Sequence, residues 1–542
     1  MQLQPLNTSN PLHLSWQYGE VHIEIMGGIR LEGLDRLKVT LKVKYKQSVL
    51  RSNLDLYNDA QVEKLVRKTA ELFSLGSSYM AKVLEELTNA LEAHRITSLQ
   101  QLEVKKEKKV LSPEEKREAI TFLQQPNLVK TTGELIGASG VIGEEHNRLL
   151  MYLIFTSRKR ENPLHIVSLA ASGTGKSYLQ ERVAALIPDE DKIEMTVLSE
   201  NAFYYFGQQE LQHKLMLIED LEGAQQALYP LRELQSKNKL VKRVVVKDKN
   251  GNTQTVEVTV EGPVCVAGCT TQEHIYEDNA NRSFLIYLDD SKAQDGRIML
   301  RQKQASAGII NFEVELNARN LLQNCQRVLE PVKVRNPYAL QLQLPAEVFK
   351  IRRAHAQYLH FIEAITFYKQ YQRDKITNPV TGEQYIETTL DDIEEANELM
   401  KVVLVGKSDE LSHATRVYLE QVKEYLQQQG KDSFTTREVR EGYKLNISNQ
   451  KRYMLHLLLA GYIQKQAGKD NVMEYTVTSY DEYVSLQDRV KAVLDKALNG
   501  LREQQSSQVV QVGSEPPKSN ADKESKRKFK SSPKGNTGTN NS

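Results

Sequence analysis

Short alternating runs of apolar residues open the chain and then give way to helical spacing. Val21, Ile23 and Ile25 share one side of an extended segment, and Val39, Leu41 and Val43 repeat the pattern after Gly27-Gly28. Trp16 to Lys46 therefore reads as paired strands. Val62, Leu65, Val66 and Ala70 then recur at three and four residues, as do Val83, Leu84, Leu87 and Leu91, which predicts two amphipathic helices. Residues 1–104 are expected to form a small α+β domain. The charged run Lys105-Lys106-Glu107-Lys108-Lys109 and a helix start at Ser112-Pro113-Glu114-Glu115 make a linker and helix of 105–129.

From 130 to 335 short apolar strands alternate with helices, the pattern of an α/β layered domain. Residues 336–428 read as helical, with Tyr358, Phe361, Ile362 and Ile365 at three- and four-residue spacing. Residues 429–480 read as helix–turn–helix followed by strand–turn–strand. A threonine of Thr435-Thr436 is expected to cap the first helix and Ser448 the second, whose apolar face is Tyr453, Leu455, Leu458 and Leu459, with a turn at Gly468. An amphipathic helix over 481–512 carries Leu486, Val490, Val493, Leu494, Leu498 and Leu501 in one stripe. The tail 513–542, rich in Ser, Pro, Asn, Lys and Gly, is expected to be disordered and basic.

A length of 542 residues exceeds one ordinary core and implies three or four domains. Lys and Arg total 72 against 70 Asp and Glu, so any nucleic-acid surface must come from local patches. No run approaches 18 apolar residues and the first ten lack an export signal, so no membrane partner and a cytoplasmic location are expected. Cys265, Cys269 and Cys325 make neither a disulfide framework nor a zinc pattern and read as small buried residues.

The chemistry concentrates in the α/β region. The apolar strand His165–Leu169 runs into Ala170-Ala171-Ser172-Gly173-Thr174-Gly175-Lys176-Ser177, and a helix follows. This is a phosphate-binding loop in its required strand–helix context. Glycines 173 and 175 let backbone N–H groups close around phosphate oxygens, and the helix N-terminus adds partial positive charge. Residues Ala171 to Tyr178 are the candidate ATP-binding set, with Lys176 on the β- and γ-phosphates and the Ser177 hydroxyl on Mg²⁺. Leu215-Met216-Leu217-Ile218-Glu219-Asp220 supplies an acidic pair at the end of a second strand. One carboxylate holds Mg²⁺ and the other orients the attacking water, with Glu219 assigned the metal and Asp220 the water. A third strand ends at Thr270-Thr271, either of which would stand between the acids and the γ-phosphate, or cap a helix. Arg282, in Asn281-Arg282-Ser283-Phe284, would reach a neighbouring subunit's γ-phosphate or else make a surface ion pair.

The loop, the acidic pair, the polar third strand and the Arg-Ser-Phe turn together resemble the AAA+ ATPases. The lead-in Gly137–Arg148, the Arg turn and an Asn250-Gly251 hairpin before the third strand are similar to the minichromosome maintenance helicases. Residues 16–480 look like the ATPase half of bacterial mobile-element primase–helicase proteins, without their zinc-finger and primase modules. This chain departs from the pattern in three places: the third strand lacks the family's Asn, the acidic order is inverted, and 37 residues separate Ser177 from Leu215. The resemblance implies an α/β fold: an AAA+ P-loop NTPase core with a helical lid, an N-terminal α+β domain and a C-terminal winged helix. It further implies an ATP-dependent DNA helicase or translocase, a hexameric ring acting in mobile-element replication on single-stranded or forked DNA, with a primase or other replication protein as a further partner. Arg352 or Arg353 would be its sensor arginine. A loader or remodelling ATPase that docks a partner protein through the winged helix is the alternative.

Two basic stretches suit DNA. Lys237, Lys239, Lys242, Arg243, Lys247 and Lys249 fall in one short segment with a single acid, Asp248, and place Lys247 and Lys249 at the hairpin tip. In the C-terminal module Lys451 and Arg452 are the candidate DNA contacts.

Overall fold

The computed structural model describes residues 6–29, 36–102, 108–170, 173–196, 202–247, 253–271, 281–467 and 472–512. Ala171, Ser172, Lys249, Asn250-Gly251, Gly468 and the tail 513–542 lie outside them. The chain divides into two compact units, 1–110 and 111–542.

In the first unit β1 (His13–Tyr18), β2 (Val21–Met26), β3 (Lys38–Tyr45) and β4 (Ser48–Asp55) pair antiparallel in sequential order. The alternation dictates two faces. Val21, Ile23, Ile25, Val39, Leu41 and Val43 are buried with residues of α1 (Asp59–Phe73) and α2 (Ser77–Leu102). On the polar face Lys44 and Lys42 hydrogen-bond the Glu24 carboxyl and pull it down to about 2. Strand β4 escaped the sequence reading because its apolar residues, Val49, Leu50 and Leu54, do not alternate through its length; pairing with β3 holds it at the sheet edge.

The second unit starts with α3 (Pro113–Leu123), where Ser112 Oγ accepts from the Glu115 N–H at 3.2 Å and the Glu115 carboxylate accepts from the Ser112 N–H at 2.9 Å. After α4 (Leu128–Ala138) the chain turns into α5 (Glu145–Thr156) around the buried Arg148 guanidinium, which donates to the carbonyls of Val141 at 2.7 Å and Gly143 at 3.0 Å. A Cβ at Gly137, near the end of α4, would stand 2.7 Å from that guanidinium, so a larger residue there would have to displace it.

The central elements are β5 (Ile166–Leu169), α6 (Lys176–Ala184), β6 (Lys192–Met195), β7 (Lys214–Ile218), α7 (Leu228–Lys237), the antiparallel pair β8 (Lys239–Lys247) and β9 (Thr253–Glu261), β10 (Val264–Thr270) and β11 (Phe284–Tyr287). Five of these strands form one parallel sheet in the order β11-β5-β10-β7-β6. Their near-continuous apolar runs follow from burial on both faces: every residue of β5 and β10 is buried. Cys265, Cys269 and Cys325 are free and buried, as small core residues.

Helices α8 (Lys292–Ser306) and α9 (Phe312–Val328) follow. Next come β12 (Lys333–Arg335), α10 (Ile351–Tyr368), β13 (Ile376–Thr377), β14 (Gln384–Glu387) and α11 (Leu390–Ser408). The all-helical expectation for 336–428 needs correcting. Strands β12, β14 and β13 make a small sheet, too short to register as apolar alternation. Helix α12 (His413–Gln429) leads into β15 (Ser433–Phe434), α13 (Thr436–Tyr443), α14 (Ile447–Leu459), β16 (Ile463–Ala467) and β17 (Met473–Val477). Asn446, not Ser448, caps α14, accepting from the Ser448 N–H at 2.8 Å. Its inward face is Gln450, Met454 and Leu457, whereas Leu455 and Leu459 are exposed. The stripe on α15 (Glu482–Val512) packs along α11, where Leu486, Val490, Leu494, Leu498 and Leu501 join the main core. Among the described residues no helix is long and apolar enough to cross a membrane.

Candidate nucleotide site

In parallel α/β sheets ligands gather at the carboxyl ends of the strands, and three of the sequence motifs meet there. Gly173 and Gly175 adopt φ of +85° and +91°, conformations that a side chain would oppose. They turn the chain off β5 into α6, whose first residues are Lys176 and Ser177. The Lys176 ammonium folds back to donate to the Ala170 carbonyl at 2.8 Å. Burial lowers its pKa from the ordinary lysine value, against the opposing pull of Glu222 and Asp220.

The sheet order decides the rest. Because β10 lies between β5 and β7, Thr270 stands level with Leu169, the last residue before the loop, and Gly268 stands level with Ile218, the last residue before the acids. Buried Thr270 therefore sits between the loop and the acidic pair. Glu219 and Ser177 line the same small cavity of about 90 Å³. A divalent cation ligated by a hydroxyl and a carboxylate fits that pair. Asp220 is exposed and accepts from the Glu222 N–H at 2.9 Å.

Glu222 itself was missed in the sequence. Its carboxylate accepts from the Thr271 N–H at 3.2 Å and from the Thr271 hydroxyl. A third acid two residues beyond an acidic pair was the available signal. Tyr178 does not line the small cavity; it is exposed on α6 with the Arg182 guanidinium over its ring.

The family model for the MTBMA_p00010 P-loop domain matches residues 112–331. These residues are a P-loop domain. Solved structures similar to the chain include a full-length MCM homolog from Methanopyrus kandleri, at 10% identity and a TM-score of 0.36, covering 74% of this chain and 76% of that one. Another is the SCCmec type IV Cch, titled an active helicase, at 9% identity and a TM-score of 0.25, covering 90% of this chain and 99% of that one. The C-terminal region of NrS-1 matches at 10% identity and a TM-score of 0.22, covering 81% and 94%. No curated protein matches the sequence.

The remaining candidates lie elsewhere on the P-loop domain and beyond it. Arg282 lies two residues before the amino end of β11, at the opposite end of the sheet from the loop, and its Nε donates to Ser236 Oγ on α7 at 2.8 Å. Beside it, burial takes the His165 imidazole down to about 4, and its Nδ1 accepts from the Val266 N–H at 3.3 Å. The basic hairpin is less cationic than its sequence suggests. Arg243 pairs across the ladder with Glu257 at 3.4 Å and Lys242 lies over the Tyr204 ring, while Lys237, just before the hairpin, pairs along α7 with Glu233 at 2.5 Å. Lys247 ends β8, and Lys249 lies outside the described residues. Arg352 and Arg353 are exposed in the first turn of α10. On α14 Lys451 and Arg452 are both exposed, but Arg452 also lines a cavity of about 590 Å³ that reaches Ala170 and Thr174 of the loop.

Proposed function

We propose that this chain is an ATP-driven DNA helicase or translocase of the AAA+ class that works as a ring, with the module of α12–α14 and β15–β17 as its winged helix. One observation carries the reading. The loop, Ser177 and Glu219 gather at one end of the parallel sheet, while Arg282 stands at the other. One chain therefore presents half a site on each of two faces, and a second copy completes it. A hexamer is the ring size that the resemblance suggests.

In this reading Gly173 to Ser177 grip the triphosphate, with Lys176 reaching the β- and γ-oxygens once they compete with the Ala170 carbonyl. Ser177 and Glu219 would hold Mg²⁺, which when bound neutralises phosphate charge. Asp220, with Thr270 or Thr271, orients water toward the γ-phosphate. A neighbour's Arg282 stabilises charge as it builds on the departing oxygens. DNA would run along the β8–β9 hairpin through Lys247 and Lys249, phosphate by phosphate and without base readout.

The rival reading, a loader or remodeller of a partner protein, draws support from Leu455 and Leu459, exposed beside Lys451 on α14. ATP turnover measured with and without single-stranded DNA, alongside strand separation on a forked duplex, tests the two. DNA-stimulated turnover with unwinding is expected. Turnover that ignores DNA and rises only with a protein partner refutes the helicase reading.

A further inference from the structure

Helical spacing divides the exposed surface of α14 between two tasks. Asn449, Arg452, Tyr453 and His456 recur at three and four residues and all line the 590 Å³ cavity. Lys451, Leu455 and Leu459 fall on another face, in solvent. Ala170 and Thr174 of the phosphate-binding loop line the same cavity, and so do Ser412, the cap of α12, and its first residues His413 and Ala414. The volume lies in the range of small-ligand sites, roughly 300–1,000 Å³.

The cavity's chemistry favours an anion. Arg452 is joined by His413 and His456, and Asp290 is the one carboxylate among the described lining residues. The first turn of α12 contains no acid, so the positive end of a 17-residue helix adds to the same side. The His413 ring stacks on Tyr287, the last residue of β11, with centroids 3.8 Å apart and planes within 16°. That stack seats the C-terminal module against the carboxyl ends of the sheet, where the loop lies.

We propose that Asn449, Arg452 and His456 form the second wall of the nucleotide site, with Arg452 pairing the phosphate oxygens of a nucleoside triphosphate held by the same chain's loop. This rests on the loop's role as a nucleotide site. It reassigns Arg452 from DNA to nucleotide and leaves Lys451 to the other face. An arginine fork suits two phosphate oxygens at once, where a lysine offers a point charge.

The test uses the full chain, a fluorescent ATP analogue with Mg²⁺, and labelled single-stranded DNA. Arg452→Ala is expected to weaken analogue binding roughly tenfold while nucleotide-free DNA binding stays within about twofold. Arg452→Lys should fall between Arg452→Ala and the natural protein. Lys451→Ala is expected to show the converse, with normal analogue binding and weaker DNA binding. Unchanged analogue affinity in Arg452→Ala overturns the proposal, whatever happens to DNA. So does a loss that Arg452→Lys fully shares together with a lowered melting temperature, because that marks a collapsed module. Lys176→Ala separates the two levels: if it too binds the analogue normally, the loop's assignment fails first.

Discussion

If Arg282 serves a site on another chain, as proposed, converting it to alanine is expected to silence ATP turnover while leaving nucleotide binding intact. The geometry sets the argument. Phe284 pairs with Ile166 and Tyr287 with Leu169, so three residues of strand, roughly 10 Å, separate the level of the loop from the start of β11. Arg282 lies two residues further back, bonded to Ser236. No arginine side chain bridges that span to its own loop. An arginine supplied in trans is worth roughly 10³-fold or more in turnover, so Arg282→Ala alone, like Lys176→Ala alone, should be essentially inactive. Mixing the two is decisive. In the proposed ring each interface takes a loop from one subunit and an arginine from the next. In an equal random mixture roughly a quarter of interfaces combine an intact loop with an intact arginine. Turnover should return to roughly a quarter of the natural rate if interfaces act independently. The assay is phosphate release from the subunits mixed at dilution and concentrated together. A mixture as inactive as its components refutes the shared site, and so does an Arg282→Ala chain that turns over normally.

Three further outcomes follow from named contacts. Ser177→Ala should raise the Mg²⁺ concentration for half-maximal turnover on the order of tenfold or more, read from a magnesium titration; an unshifted midpoint removes Ser177 from the metal site. His165 should make the protein acid-sensitive. Its imidazole titrates near 4 in the folded chain against about 6.5 unfolded, so the unfolded state takes up more protons between these values and stability falls as pH drops. The loss should be about 2 kcal/mol between pH 7 and pH 5, read from urea melts, and His165→Asn should flatten that part of the slope. Asp191→Ala should cost about 3 kcal/mol, because the fully buried Arg158 guanidinium that Asp191 accepts from at 2.6 Å loses its countercharge. Melts showing no loss would mean that Gln326, bonded to the same guanidinium, suffices alone.

Much of the P-loop domain was legible in the sequence because local rules govern it. The glycines at 173 and 175 occupy left-handed backbone where few other residues fit, and the apolar runs of β5, β7 and β10 announce burial on both faces. The Ser112 cap declared itself through its Glu115 partner. What escaped was decided by tertiary pairing. The two-residue β13 carries no period of its own, and β4 borrows its order from β3. On α14 the sequence offers Leu455, Leu457, Leu458 and Leu459 together, and only the packing of α12 and β16 selects Leu457 for the core. Glu222 looked like one more surface acid until β10 brought Thr271 to it.

The same distinction separates Arg452, which lines the cavity near the loop, from its neighbour Lys451, which does not. Adjacent residues on a helix point about 100° apart, so a dipeptide that looks like one basic patch falls on two faces. Along the chain, β11 lies between the cavity and Arg282. That strand is four residues long, with the arginine turn just before one end and Tyr287, stacked on His413, at the other. Among the described residues this short strand pairs with β5 alone, and a substitution at one end tests whether its two ends move as a unit. If they do, replacing His413 by alanine should loosen the hold of the C-terminal module on the end of β11 and change how turnover responds cooperatively to ATP, while Lys176, Ser177 and Glu219 stay in place. Sigmoidal ATP curves in the natural protein that turn hyperbolic in His413→Ala would establish the connection. Identical curves would mean that the two ends of β11 act separately.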